Sequence, residues 1–294
     1  MLKFEGLYTA LVTPFTDDDQ IDYVALERLL DEQMAAQVAG IVVLGSTGES
    51  ATITDEEFKD IVGFVVKRCK NKVQILVGTG SNNTSHAIES SKLAQDLGAD
   101  GLLMVTPYYN KPSQEGIFRH FSSVADAINI PIMLYNVQGR TGVNLQTSTL
   151  LRLSEHKNIV AVKEASGNID QIMEVIASVP SDFSVLSGDD ALTYPLMALG
   201  GHGIISVISN IIPERMNKMV NLLAQGNYND SKVLHYKMLK LMNALLSVGS
   251  NPLAVKSVLA MQNRIKENFR LPLWKLDDLQ QENLRKIFEE CYND

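Results

Sequence analysis

Short, almost uninterrupted apolar runs alternate along this chain with longer stretches whose apolar residues recur every three or four positions. The runs fall at residues 8–12, 40–44, 74–77, 101–105, 132–135, 159–163, 184–186 and 203–206. Each is rich in Val, Ile and Leu with little polar alternation, the pattern of strands buried on both faces of a parallel sheet. Helical spacing covers 23–36, 55–70, 84–97, 114–127, 147–154, 169–177, 191–199 and 213–225. Start signals support several of these helices. Thr54 with Glu57 three residues on reads as a capping box, and Asp189 and Asp190 precede Ala191. Eight strand-then-helix units predict a (β/α)8 TIM barrel. A doubly wound open sheet is the rival, but it usually carries a glycine-rich fingerprint after its first strand, where this chain has Thr13-Pro14-Phe15.

The pattern changes near Gly226. Residues 1–226 hold 18 of the 19 glycines, and after Gly226 only Gly249 remains. Three further helices are expected there, at 228–246, 253–262 and 277–291. The expected organisation is therefore a catalytic barrel over 1–226 followed by a small helical domain over 227–294. Leu239, Leu241, Leu245 and Leu246 give the first tail helix an apolar face available to a partner.

Composition narrows the class. The 294 residues carry 26 Lys/Arg against 34 Asp/Glu, a formal charge of −8, which argues against a nucleic-acid footprint. No apolar run approaches the ~20 residues of a membrane span, and the first residues lack the apolar core of a secretory signal. A soluble, cytoplasmic chain is expected. Two cysteines, Cys69 and Cys291, cannot build a disulfide framework. The five histidines form no His-Glu-x-x-His pair, so a metal-dependent barrel hydrolase is not indicated. Gly78-Thr79-Gly80 lacks the third glycine of a dinucleotide fingerprint, and no Gly-x-Ser-x-Gly elbow occurs.

Chemistry is sought at the C-terminal strand ends, where barrels keep their active sites. Lys163 closes the apolar run Ile159-Val160-Ala161-Val162. Burial there would lower its pKa and expose a free amine able to form a Schiff base with a carbonyl compound. The context alone equally fits a strand-end lysine that snorkels to solvent or pairs with Glu164. Gly45-Ser46-Thr47-Gly48 offers hydroxyls and backbone N–H groups suited to a carboxylate, or makes an ordinary turn into the next helix. It lacks the Lys-Ser/Thr ending of a Walker loop. Tyr109 and Tyr135 would relay protons if their hydroxyls meet Ser46, or else pack with satisfied hydroxyls. Arg140 would clamp a second carboxylate, or lie exposed on its loop.

Taken in order, these segments resemble a known family. Gly45-Ser46-Thr47-Gly48-Glu49, Tyr108-Tyr109-Asn110-Lys111-Pro112, Tyr135-Asn136-Val137, Gly139-Arg140-Thr141-Gly142, Lys163-Glu164-Ala165-Ser166-Gly167 and Ser187-Gly188-Asp189-Asp190 are similar to the dihydrodipicolinate synthase family. That family lies in the pyruvate-dependent class I aldolase superfamily, with N-acetylneuraminate lyase and keto-deoxy-sugar acid aldolases. The likeness runs from Gly6 and Thr13-Pro14-Phe15 to Asn251-Pro252 and Lys256.

The resemblance implies a Schiff base between Lys163 and pyruvate, whose carboxylate is held by Ser46 and Thr47. It implies Tyr135 as proton donor in a relay with Ser46 and Tyr109, and Tyr109 crossing a dimer interface within a homodimer or homotetramer. Arg140 would position L-aspartate 4-semialdehyde, and the Gly188 carbonyl and Ile205 would line the pocket. The product would be a 4-hydroxy-tetrahydrodipicolinate on the diaminopimelate route to lysine, and no metal or organic cofactor is implied. A pyruvate- or amino-acid-sensing barrel is the non-enzymatic alternative.

Three departures from the family pattern stand out. Ser46 stands where the family usually has threonine, Gly-Ser-Thr-Gly-Glu being also how sialic-acid lyases read, and Gln138 replaces proline. In the family's feedback pocket for lysine, Ser50, Asn82 and Tyr108 match, whereas Asp55 and Phe58 replace histidines and His86 replaces a glutamate. Weak or absent inhibition by L-lysine is therefore expected.

Overall fold

A computed structural model describes residues 3–293. Eight parallel strands form a closed barrel in sequential order. They are β1 (Gly6–Ala10), β2 (Gly40–Val43), β3 (Gln74–Gly78), β4 (Gly101–Val105), β5 (Ile132–Asn136), β6 (Ile159–Glu164), β7 (Ser184–Ser187) and β8 (Gly203–Ser206). The helices before Gly226 are α1 (Tyr23–Ala35), α2 (Asp55–Cys69), α3 (Thr84–Asp96), α4 (Gln114–Ala127), α5 (Gln138–Thr141), α6 (Thr147–Ser154), α7 (Ile169–Ser178), α8 (Thr193–Ala198) and α9 (Pro213–Ala224). After Gly226 come α10 (Tyr228–Ser247), α11 (Leu253–Met261) and α12 (Asp278–Asn293).

The core has two parts. Tyr8, Val42, Leu76, Leu103, Met133, Ala161, Leu186 and Ile205 fill the barrel's interior, and a larger layer lies between the strands and the helices. Closure depends on a close approach at the β1–β8 seam, where Gly6 pairs with Gly203. A Cβ on Gly203 would stand 2.1 Å from the Gly6 carbonyl oxygen, so any side chain there would part the two strands. The capping box at the start of α2 is present, with Thr54 Oγ1 accepting from the Glu57 amide and the Glu57 carboxylate accepting from the Thr54 amide.

Several element bounds differ from the sequence reading. The first strand sits two residues earlier than 8–12, because beyond Ala10 only the Leu11 amide still reaches β2, donating to the Val42 carbonyl at 2.9 Å, and the next amide leaves the sheet. There the Val12 amide donates to Asn210 Oδ1 at 3.1 Å. The helix expected over 191–199 begins as a 3-10 turn at Asp190–Leu192, and α8 starts only at Thr193. Pro195 has no N–H and is tolerated in a helix's first turn, which fixes that start. The loop after β5 contains the short helix α5, which carries Arg140.

The apolar face of α10 is already occupied within this chain. Leu241 and Leu245 are fully buried in the large core, and only Leu246 of the four leucines is exposed. Among the described residues no helix is long and apolar enough to cross a membrane.

Candidate active site

β5 and β6 pair so that Tyr135 lies beside Lys163, at the strand ends that face the barrel mouth. Lys163 Nζ sits 4.1 Å from the centre of the Tyr135 ring, and Lys163 is 5% exposed. Burial pushes its ammonium down to about 7; the nearby Asp190 carboxylate opposes that fall and the Arg140 guanidinium adds to it. Glu164 is not its partner. It faces the other side of the strand, as alternation requires, and accepts from the Ser166 amide at 2.7 Å and from Asn136 Nδ2 at 3.1 Å. Burial also raises the Tyr135 phenol to about 12, so its hydroxyl keeps its proton. Asp190 is buried, accepts from the Val207 and Ile208 amides at 3.0 and 2.9 Å, and is pushed up to about 6 by desolvation.

Room for the lysine depends on Gly188. A Cβ there would stand 2.9 Å from Lys163 Cε and 2.6 Å from Ala165 Cβ. Glycine at this position leaves the amine free to project into the mouth.

The segment after β2 turns through a 3-10 helix at Ser46–Gly48, ending in Glu49 with φ of 54°. Glu49 is buried, and its carboxylate accepts from Lys256 Nζ at 2.5 Å and from the Arg270 amide at 3.3 Å. Lys256 donates also to the Thr13 carbonyl at 3.0 Å and lies over the Phe15 ring. A buried cation and anion so arranged are paired and hydrogen-bonded, the condition under which buried charges persist. Asn251, just ahead of α11, donates through Nδ2 to Thr47 Oγ1 at 2.9 Å, and its backbone carbonyl accepts from Arg140 Nη2 at 3.3 Å.

A cavity of about 120 Å³ at the mouth is lined by Ser46, Thr47, Tyr135, Arg140, Lys163 and Gly188, among others. That is room for several water molecules, hence for an acid of a few heavy atoms. An acid there would meet an amine held near neutrality, a protonated phenol, two hydroxyls and a guanidinium. A second cavity of about 590 Å³ shares Ser46, Val137, Arg140 and Asn251 with the first and continues past Ser50, Asp55, Phe58, His86 and Tyr108.

Six of the eight residues expected at the site line the first cavity; two do not. Ile205 is fully buried in the barrel's interior packing rather than on the cavity wall. Tyr109 is 88% exposed, with φ of 71°, and lines neither cavity. Asn251, Asp190, Glu49 and Lys256 join the site or its supports without having been expected there. Lys256 does carry a signal, a lone charge in the apolar run Leu253–Leu259, which demands a buried counter-charge. Asn251 is marked only by its place in the stretch that resembles the family, because its partners Thr47 and Arg140 are remote in sequence.

Over residues 3–291 the chain matches the model of the Dihydrodipicolinate synthetase family. It is 45% identical over 292 residues to the 4-hydroxy-tetrahydrodipicolinate synthase of Protochlamydia amoebophila, covering 98% of this chain and 97% of that one. With 4-hydroxy-tetrahydrodipicolinate synthase 1 of Halalkalibacterium halodurans it shares 46% identity over 287 residues, 98% of this chain and 97% of that one. The structure of the 4-hydroxy-tetrahydrodipicolinate synthase from Methylacidiphilum fumariolicum superposes with a TM-score of 0.97 at 41% identity, covering 99% of this chain and 97% of that one.

Proposed function

The chain belongs to the dihydrodipicolinate synthetase family, and from that premise we propose that it condenses pyruvate with L-aspartate 4-semialdehyde to give 4-hydroxy-tetrahydrodipicolinate and water. The observation that carries this reading is Lys163, buried at the barrel mouth with its ammonium pushed down to about 7. A large fraction of such an amine is unprotonated near neutral pH and can attack a carbonyl carbon.

In the proposed reaction, Lys163 Nζ adds to the keto carbon of pyruvate, and loss of water leaves an iminium. The iminium draws electrons from the methyl carbon, which gives up a proton and becomes the nucleophilic end of an enamine. That carbon bonds to the aldehyde carbon of the semialdehyde, and the new alkoxide takes a proton from Tyr135, whose phenol is protonated at every working pH. The substrate's own amine then displaces Lys163 from the former keto carbon, closing the ring and freeing the enzyme. Ser46 and Thr47 hold the pyruvate carboxylate, Arg140 the carboxylate of the semialdehyde, and the Gly188 carbonyl borders the pyruvate. Ile205 supports this floor from beneath.

Tyr109 enters this scheme only from a second copy. Exposed on its own chain, it is assigned to the mouth of a partner subunit, in a homodimer or homotetramer, where it joins the Ser46–Tyr135 relay. L-lysine is assigned weak or no inhibitory effect, since His86 stands in the larger cavity in place of the glutamate that in the family pattern would pair with the effector's amine. A cytoplasmic location accords with this biosynthetic role.

Borohydride reduction in the presence of pyruvate, followed by mass analysis, tests the mechanism. The expected result is one pyruvate-derived adduct on Lys163, and its absence at saturating pyruvate overturns the reading. A coupled assay offering aspartate semialdehyde or N-acetylneuraminate then tests the second substrate, with turnover expected for the first alone.

A further inference from the structure

We infer that Asn251, a residue from beyond the barrel, is a positioning residue that aims the Thr47 hydroxyl proton into the pyruvate site. This role rests on the proposed function, in which Thr47 grips the pyruvate carboxylate.

Hydrogen-bond direction is the starting point. Asn251 Nδ2 donates to Thr47 Oγ1 at 2.9 Å, across 204 residues of sequence and in a buried setting. A threonine hydroxyl has one proton to give and lone pairs with which to accept. With a lone pair engaged by the amide N–H, the hydroxyl hydrogen must point elsewhere. Thr47 lines the mouth cavity beside Lys163, so an acid bound there is the acceptor that this hydrogen would find. A bond of this kind to an ionised carboxylate is stronger than one between neutral groups. A hydroxyl already polarised by an incoming donor gives it more firmly still.

The same residue restrains the other gripping group. Its backbone carbonyl accepts from Arg140 Nη2 at 3.3 Å. Asn251 thus ties the segment after β2 to the helix that carries Arg140, and the separation of the two carboxylate grips is set by one side chain and its own backbone. Arg140 and Asn251 also line both cavities, which places this link where the second substrate must pass.

Asn251 acts here through its polarity rather than its bulk, and that makes the role testable. Asn251→Asp keeps the shape but replaces the donor by an acceptor, so Thr47 must turn its proton toward the new carboxylate. Asn251→Ala removes the donor and leaves Thr47 free to rotate toward the substrate. The pyruvate concentration for half-maximal borohydride trapping is expected to rise about 10- to 100-fold in Asn251→Asp and by less than about threefold in Asn251→Ala. A packing role gives the opposite order, because aspartate fills the space and alanine does not.

Thr47→Val supplies the control for charge. In that background the aspartate and alanine variants should bind pyruvate alike. If the aspartate penalty persists at full size without the hydroxyl, simple repulsion of the substrate explains it and the inference fails. Should Asn251→Asp not fold, by thermal unfolding, Asn251→Ala alone decides. A rise below about threefold then supports the role, and any larger rise, the mark of packing, overturns it. Absence of any adduct in the unaltered protein sinks the proposed function itself, and this inference with it.

Discussion

Lys163 owes its chemistry to where β6 ends. One residue earlier or later it would face the helical layer, as Val162 and Glu164 do, and two earlier, at Ala161, it would be locked among the apolar side chains inside the barrel. At the mouth it is desolvated without being paired, and its ammonium falls to about 7 from an ordinary 10.5. The rate of trapping with pyruvate should therefore rise as pH is raised through about 7, since the folded lysine loses its proton there. A flat profile between about pH 6 and 8 would contradict it. Above about pH 7 the stability contribution of this lysine also has a definite sign. Between about 7 and 10.5 the unfolded chain holds a proton on this lysine that the folded chain has lost, so its contribution to stability grows with pH. Lys163→Ala should abolish the adduct, and Tyr135→Phe should lower kcat about 100-fold or more while leaving trapping detectable. Sequence disclosed this lysine because a charge at the end of an apolar run is conspicuous. It could not disclose Asp190 as the opposing charge, since that proximity arises only when β6 pairs with β7 and brings the turn after β7 beside the lysine.

At the scale of elements, the segment after β2 is held from both sides: Thr13 Oγ1 donates to the Gly48 carbonyl at 2.7 Å, and Asn251, Lys256 and Arg270 reach it from the tail. Glu49 sits in a left-handed backbone conformation and is neutralised by Lys256 of α11. Lys256→Met should destabilise the protein by about 3–5 kcal/mol in denaturant unfolding, because it strands a buried carboxylate. The double variant Glu49→Gln, Lys256→Met should recover most of that loss, since burying two neutral groups costs little. Failure of the double variant to recover would show that the pair's geometry, not its charge, holds the turn. The strand and helix order was plain in the sequence, because each element carries its own periodicity. Its exceptions have local causes. Pro195 delays α8, and β1 ends early because the Val12 amide leaves the sheet for Asn210. The short helix α5 could not be read from four residues with glycine among them, Gln138-Gly139-Arg140-Thr141.

At the scale of the whole molecule, one chain brings the proposed pyruvate-holding residues together at its mouth and leaves Tyr109 of the proposed relay on its surface. Tyr109 projects from the surface at 88% exposure, where an aromatic ring gains from being covered. Lys163→Ala and Tyr109→Phe, each weak or inactive alone, should regain activity when unfolded together and refolded. A mixed dimer then contains one mouth with both an intact lysine and a tyrosine from its neighbour. No recovery on mixing would place Tyr109 outside the site. This crossing was expected from resemblance alone, as nothing in the composition of Tyr108-Tyr109-Asn110 tells a core tyrosine from a bridging one. The reach of α11 has a different kind of consequence, one of timing. On a ribosome all eight strands emerge before Asn251 and Lys256 do. A nascent barrel therefore carries an unneutralised Glu49, at the end of the turn that holds Ser46 and Thr47, until α10 and α11 have been made. Catalytic competence arrives late in synthesis, so chains interrupted after the barrel should bind pyruvate poorly instead of depleting it as partial enzymes.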